Sequence, residues 1–448
     1  MYADGPAPLE WVPTPFPFDR LAALRAEGPV HRVHVPGSGN AWLVVTRDAV
    51  RAALTDPRLR NDIRHSAGWE SDGGHAVGRN MLQSDPPHHT RLRRLVAGHF
   101  TPGRIAALRP RIEAVARGLL DRMPEAGTAD LVGGYALPLP VTVICDLLGV
   151  PAEDREDFHT WSNELVTPTG AEAAAASAAA LTGYLTGLIA RKARTPDGSL
   201  LAGLAAPDAS GGLSPEEQLG MAFLLLVAGH ETTVNLISAT VLGLLTHPDQ
   251  LALLRARPEL ADAAVEESLR LHSPVHAGAF RWAAEPLELA GTRVAAGDAV
   301  LVSLAAASRD PLAFPDPDRF DLTRRPQGHL GFGHGVHHCL GAPLARAEAV
   351  VALNLLLERH PALTLGADPE SLTWRAGTLL RGLTALPVRL GPRTPRRGLP
   401  EPTLRDPPSD PEMCQKSLTG ASDPCQPFLT GTRERGPDAR GPAAGAHG

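Results

Sequence analysis

From Ser214 to Thr246 the sequence predicts a single helix of about 33 residues, roughly 50 Å long at ~1.5 Å per residue. Its start is well marked. Ser214 is a capping residue, Pro215 takes the first helical position, and Glu217 completes a capping box. His247-Pro248 ends it. Between Glu217 and Asp249 the only formal charge is Glu231. A helix apolar on every face lies inside a protein or inside a bilayer. The middle of this one reads Gly229-His230-Glu231-Thr232-Thr233, groups that a bilayer centre makes costly. The reading is a helix through the centre of a soluble protein, with a polar patch at a buried place. On the helix alone two accounts of that patch stand equal. Thr232 and Thr233 back-bond to carbonyls while Glu231 pairs with an arginine, or the patch serves a site. Gly229 beside it permits a kink or the close approach of a ligand.

The rest of the chain sets the class as mainly α with small β-sheets. Most of Arg91–His272 reads as helix. Val30–Val35, Trp42–Val45, Leu287–Leu289 and Ala299–Leu304 read as short strands, and Thr384–Leu390 as a final extended segment. Of 448 residues 43 % are hydrophobic and 21 % charged, which suits a globular chain. No internal break appears before residue 391, so residues 1–391 are expected to form one large domain. Residues 392–448 are dense in Pro, Gly and Arg with Phe428 as the lone aromatic, and are expected to form a disordered tail. Net charge is −6, which argues against a nucleic-acid partner held by phosphate contacts. The N-terminus has no basic run leading into an apolar one, so no secretory signal is expected. Beyond the near miss at Leu219–Leu245 no run is long and apolar enough for a membrane anchor. The expected setting is the cytoplasm.

Four cysteines, Cys145, Cys339, Cys414 and Cys425, are too few and too scattered for a disulfide framework. Cys339 has distinctive surroundings. Residues 331–346 read Gly-Phe-Gly-His-Gly-Val-His-His-Cys-Leu-Gly-Ala-Pro-Leu-Ala-Arg. Three glycines make a tight loop that another group can approach closely. A helix follows, predicted over Leu340–Glu358, and a helix N-terminus lowers a thiol pKa. A small buried hydrophobe is the plainest account of a lone cysteine. Zinc with His337 and His338 lacks a second ligand pair, and a nucleophilic cysteine hydrolase has only sequence adjacency in its favour. A thiolate ligand for haem iron uses every feature of the loop.

Phe332-Gly333-x-Gly335-x-His337-x-Cys339-x-Gly341 resembles the haem-binding loop of the cytochrome P450 family. Three further motifs resemble the family's and follow in its order. They are Ala228-Gly229-His230-Glu231-Thr232 on the long helix, Glu267-x-x-Arg270, and Pro317-Asp318-Arg319-Phe320. The likeness spans about residues 10–391 and implies the P450 fold with a long buried central helix. It implies a haem monooxygenase, with haem b (iron protoporphyrin IX) ligated by Cys339 and Phe332, Gly333 and Gly341 shaping the loop. By resemblance His89, Arg93, Arg281 and His337 hold the haem propionates. Ala228 and Gly229 lie against the cofactor, Thr232 hydrogen-bonds dioxygen or a water, and Glu231 relays protons. Glu267, Arg270 and Arg319 would form a buried charged triad supporting the loop.

The resemblance also implies a hydrophobic small-molecule substrate, a polyketide or other secondary metabolite. Its contacts are expected from Asn61–Asn80, Phe158–Arg194, Leu225, Ala228, Val275–Ala279 and Leu379–Leu380. No Gly-x-Gly-x-x-Gly or P-loop is present for a nucleotide. Electrons from NAD(P)H are therefore expected through a separate ferredoxin and ferredoxin reductase. Arg93, Arg94 and Arg346 are candidates for docking the ferredoxin. His88 is read as exposed, Arg91 and Arg94 as a solvated face, and the protein as a monomer. A peroxide-driven haem enzyme and a non-catalytic thiolate-haem ligand-binding protein are the competing readings. The Glu231-Thr232 pair counts against the second.

Overall fold

The computed structural model describes residues 9–10, 18–36, 38–69, 79–166, 169–206, 212–325, 328–375 and 377–392. The expectation of a disordered tail, Cys414 and Cys425, and much of the Asn61–Asn80 loop lie outside these residues. The helices are α1 (Phe18–Glu27), α2 (Arg47–Thr55), α3 (His88–Ala97), α4 (Pro102–Arg122), α5 (Pro138–Leu148), α6 (Arg155–Val166) and α7 (Ala171–Arg194). They continue as α8 (Leu200–Ala205), α9 (Pro215–Thr246), α10 (Pro248–Ala256), α11 (Ala261–Leu271), α12 (Leu304–Ser308) and α13 (Ala342–Arg359).

Strands β1 (Leu9–Glu10), β2 (Val30–Val35), β3 (Gly39–Val44) and β4 (Leu59–Arg60) precede the helical mass, and β5 (Gly127–Asp130) interrupts it. After it come β6 (Arg281–Ala283), β7 (Leu287–Leu289), β8 (Thr292–Val294), β9 (Ala299–Val302), β10 (Thr364–Leu365) and β11 (Pro387–Leu390). One sheet has the order β1-β2-β3-β9-β6-β4, a second β10-β11-β5, and β7 and β8 form a hairpin. The expected strand over Ala299–Leu304 stops at Val302 because the Ser303 hydroxyl accepts the Ala306 amide at 3.1 Å and caps α12.

Helix α9 starts as predicted. Ser214 Oγ accepts the Glu217 amide at 3.1 Å, and Glu217 accepts the Ser214 amide at 2.9 Å. Its apolar faces pack on α5, α11 and α13 within the main core. The helix runs unbroken through Gly229, so that glycine is not a hinge. A Cβ there would lie 2.8 Å from Ile144 Cδ1 of α5, so it allows two helices to touch. Both α7 and α9 are long and apolar enough by composition to cross a membrane, one more than the sequence reading found. Alanine accounts for α7, whereas most of α9 is buried inside the protein.

Candidate functional site

The Cys339 loop closes on itself before α13 begins. The Gly333 amide donates to Leu330 O at 2.8 Å and the Cys339 amide to Phe332 O at 2.9 Å. Gly333 and Gly335 have φ of 72° and 76°, a region open to glycine. At Gly335 a Cβ would also meet Leu54 O at 2.8 Å. Gly341 caps α13, whose first residue Ala342 is two later than predicted, and Pro343 lies in its first turn. Cys339 lines a cavity.

Burial pushes the Cys339 pKa up, against the amides of Gly341 and Ala342 and the charges of Arg93 and Arg346. The sequence reading had the helix terminus winning. Desolvation wins instead, and the same amides favour the thiolate once a cation lies against sulfur.

The cavity brings the expected residues together. His89, Arg93, Ala228, Gly229, Thr232, Arg281, Phe332, Gly333, His337, Cys339 and Gly341 all line it. Among the described residues no aspartate or glutamate does. Neither Arg93 nor Arg281 has a carboxylate within ion-pair distance among the described residues. Desolvation brings Arg281 down to about 10, and it lowers Arg93. Both nitrogens of the buried His89 lack hydrogen-bond partners, and its ring lies 4.3 Å from that of His337. Burial, then His89, Arg281 and Arg93, hold His337 at about 3. Cations without anions, beside a cysteine on a helix terminus, fit a thiolate-ligated group carrying carboxylates, as haem does.

Helix α9 supplies the opposite wall. Thr232 faces the cavity, and its hydroxyl donates to Ala228 O at 3.1 Å. Thr233 also reaches the lining. Glu231 does not. It is 1 % exposed, accepts from Arg375 Nη1 at 3.1 Å, and lies 3.6 Å from His230 Nε2. Burial alone would raise its pKa, but His230 and Arg375 more than reverse this and hold it below the usual carboxylate range.

The charged support of the loop differs from the expected triad. Arg270 Nε and Nη2 each donate to the Glu267 carboxylate at 2.8 Å. Other donors of Arg270 reach the main-chain carbonyls of Ser308, Pro317 and Arg319. Arg319 thus contributes its carbonyl while its side chain is exposed, and Arg324 Nε takes the place beside Glu267 at 3.1 Å.

Several outward assignments also change. Arg91 pairs with Glu217 and donates to Gly212 O, tying α3 to the start of α9. His88 is partly exposed and lies 3.4 Å from the same carboxylate. Of the docking candidates, Arg93 faces the cavity and Arg346 is held by Glu266, with its guanidinium 4.5 Å over Phe332. Arg94 is exposed. Among expected substrate contacts, Asn61, Leu225, Val275, Gly278 and Ala279 line the cavity, whereas Phe158–Arg194 and Leu379–Leu380 do not. Arg324, Arg375 and Ser162 have no local sequence signal and were not anticipated.

A family model described as cytochrome P450 matches residues 194–380. The chain is 50 % identical over 377 residues to the cytochrome P450 monooxygenase PikC of Streptomyces venezuelae, covering 83 % of this chain and 91 % of that protein. It is 44 % identical over 375 residues to the mycinamicin IV hydroxylase/epoxidase of Micromonospora griseorubida, covering 82 % and 94 %. The solved structure of the tirandamycin C-bound P450 monooxygenase TamI matches with a TM-score of 0.81 at 45 % identity, over 86 % of this chain and 100 % of that one. Identity at this level, along nearly the whole length of these relatives, means that the chain belongs to the cytochrome P450 family and is a haem-dependent monooxygenase.

Proposed function

We propose that the substrate is a bulky hydrophobic small molecule, a polyketide or related secondary metabolite, oxidised by hydroxylation or epoxidation. The observation that carries this is the character of the cavity on the α9 side. Leu224, Leu225, Val275 and Ala279 line it, with Gly278 and Ala279 leaving room rather than filling it. Relatives named for oxidation of mycinamicin IV and for binding tirandamycin C support the same class.

Haem held by a cysteine thiolate supplies the oxygen-activating chemistry. In this reading Cys339 would hold the haem iron through its thiolate, on a loop that its own amide bonds hold in place. His89, Arg93, Arg281 and His337 would hold the propionates, which the unpartnered nitrogens of His89 and the lack of a described ion pair at Arg93 and Arg281 favour. Phe332, Gly333 and Gly341 shape the thiolate side, while Ala228 and Gly229 present a flat stretch of α9 to the cofactor. Thr232 holds a proton at Oγ1 and passes it inward, since a hydroxyl both donates and accepts without bringing charge into an apolar space. Glu231 stands behind it as the ionisable member. Electrons from NAD(P)H arrive through a separate ferredoxin and its reductase. The protein acts as a cytoplasmic monomer whose functional domain ends at about residue 391, just beyond β11.

The test is a panel of macrolactones, linear polyketides, fatty acids and steroids titrated into the holoprotein. Displacement of water from haem iron by a bound substrate shifts the main absorbance band to shorter wavelength. Saturable shifts with macrolactones or polyketides, and product formation with the same compounds, are expected. Shifts with fatty acids or steroids alone would overturn the substrate class. Full turnover with peroxide and no redox partner would overturn the electron route.

A further inference from the structure

We propose that His230 hands protons to Glu231, collecting them from helix α6 through Ser162. The inference rests on the reading that Glu231 and Thr232 serve oxygen activation, and it extends the relay to residues on a second helix.

The geometry fixes how His230 is protonated. Its Nδ1 lies 2.9 Å from Leu226 O, and a carbonyl only accepts, so Nδ1 carries hydrogen. In the neutral ring Nε2 is then an acceptor, and the Ser162 hydroxyl donates to it at 3.2 Å. The same nitrogen lies 3.6 Å from Glu231 Oε1. That carboxylate oxygen is buried and has no hydrogen-bond partner, while Oε2 is taken by Arg375. A second proton on His230 would supply the missing donor to Oε1. One nitrogen thus faces both the hydroxyl that feeds it and the carboxylate that it would supply. His230, Glu231 and Ser162 are each about 98–99 % buried, so no solvent competes along this stretch.

The transfer balances without electrons. Ser162 passes its proton to Nε2 as its oxygen takes another from solvent admitted past the part-buried His159. His159 stands at i−3 on the same helix with Nε2 unpartnered and faces His230, Glu231 and Arg375 electrostatically. The imidazolium gives Nε2–H to Glu231 Oε1, and the resulting acid releases its proton toward the cavity and returns to carboxylate. The charged and titratable groups facing His230 are Glu231 on its own helix, His159 on α6 and Arg375 on the segment before β11.

His230 acts through Glu231 and touches neither substrate nor cofactor, so its role is positioning and supply. Two measurements on the full-length holoprotein test it. Nitrogen-15 NMR of the histidine rings should show the Nδ1–H tautomer for His230. Oxygen consumption without substrate, driven by a surrogate ferredoxin and its reductase, should slow at least tenfold in His230→Gln, with a raised solvent deuterium isotope effect and an unchanged carbon monoxide spectrum. Ser162→Ala should slow it at least threefold in the same direction, which keeps the test open if His230→Gln folds poorly.

His230→Gln and Ser162→Ala at wild-type rate and isotope effect, with Glu231→Gln still slow, would overturn the inference and leave the role of Glu231 standing. Glu231→Gln at wild-type rate would overturn that role and the inference together.

Discussion

Thr232 and Glu231 are adjacent in the chain and point to different surroundings. One step along a helix turns a side chain by about 100°, so the hydroxyl meets the cavity while the carboxylate meets Arg375 and His230. In the proposed reading this division separates proton delivery from proton supply. Removing the hydroxyl should leave cofactor and substrate binding intact, because neither rests on it. Thr232→Ala should still consume reducing equivalents but release hydrogen peroxide in place of oxidised product. General acid–base assistance contributes ~10²–10⁴-fold, so the ratio of product to electrons should collapse. That ratio is measured with a substrate identified by titration and a surrogate ferredoxin. An unchanged ratio would mean that protons reach oxygen by another route. Thr233→Ala should have the smaller effect.

At the scale of elements, two charged networks brace α11, one against the 308–324 segment and the other against His329, just before the Cys339 loop, and Arg346 of α13. In the first, Arg270 gathers the carbonyls of residues 308, 317 and 319 and pairs with Glu267, which also binds Arg324. Breaking a buried pair by removing one partner costs ~3–5 kcal/mol, so Arg270→Met should be severe and Arg324→Ala clearly destabilising. Arg319→Ala should stay within about 0.5 kcal/mol, as for an exposed side chain away from any such feature. Denaturant unfolding of the three variants ranks them, and equal losses at 319 and 324 would contradict the network described. In the second network Glu266 binds His329 at 2.9 Å and Arg346 at 3.0 Å. Burial raises its pKa, and these hydrogen bonds more than reverse that, holding it at about 2 against a model-peptide value of 4.5. A depressed carboxylate pKa contributes stability that is fully present above the unfolded value and lost as pH falls through the folded one. The stability advantage of the wild type over Glu266→Gln should therefore be constant above about pH 5 and shrink steadily between 4.5 and 2. A difference that does not change across that window would show that Glu266 is not held ionised by its partners.

Across the whole molecule, what was legible in the sequence is what is contiguous in it. The glycine loop before Cys339, the capping box at Ser214 and the apolar run of α9 each lie within a short window, and each stands where expected. The cavity residues His89, Arg93 and Arg281 came from resemblance, since nothing in their local pattern announces that α3 and β6 meet at one place. Ser162 and Arg375 were not legible. They lie 68 and 144 residues from the groups they bind, and a polar side chain looks the same in sequence whether it meets solvent or a buried partner. Arg319 was misassigned for a related reason, because a motif specifies a residue but not whether its side chain or its carbonyl does the work. β11 completes its sheet at Leu390, and the sequence beyond carries no apolar periodicity. A chain ending at Pro392 should therefore bind haem and melt within a few degrees of the full protein; a large drop in melting temperature would place the domain boundary later. The central claim is that Cys339 binds haem iron through its thiolate. Carbon monoxide added to the reduced holoprotein should give the strongly red-shifted absorbance band of a thiolate ligand. Cys339→Ala should abolish that band, while Cys145→Ala should leave it unchanged. A band that survives in Cys339→Ala would contradict the account.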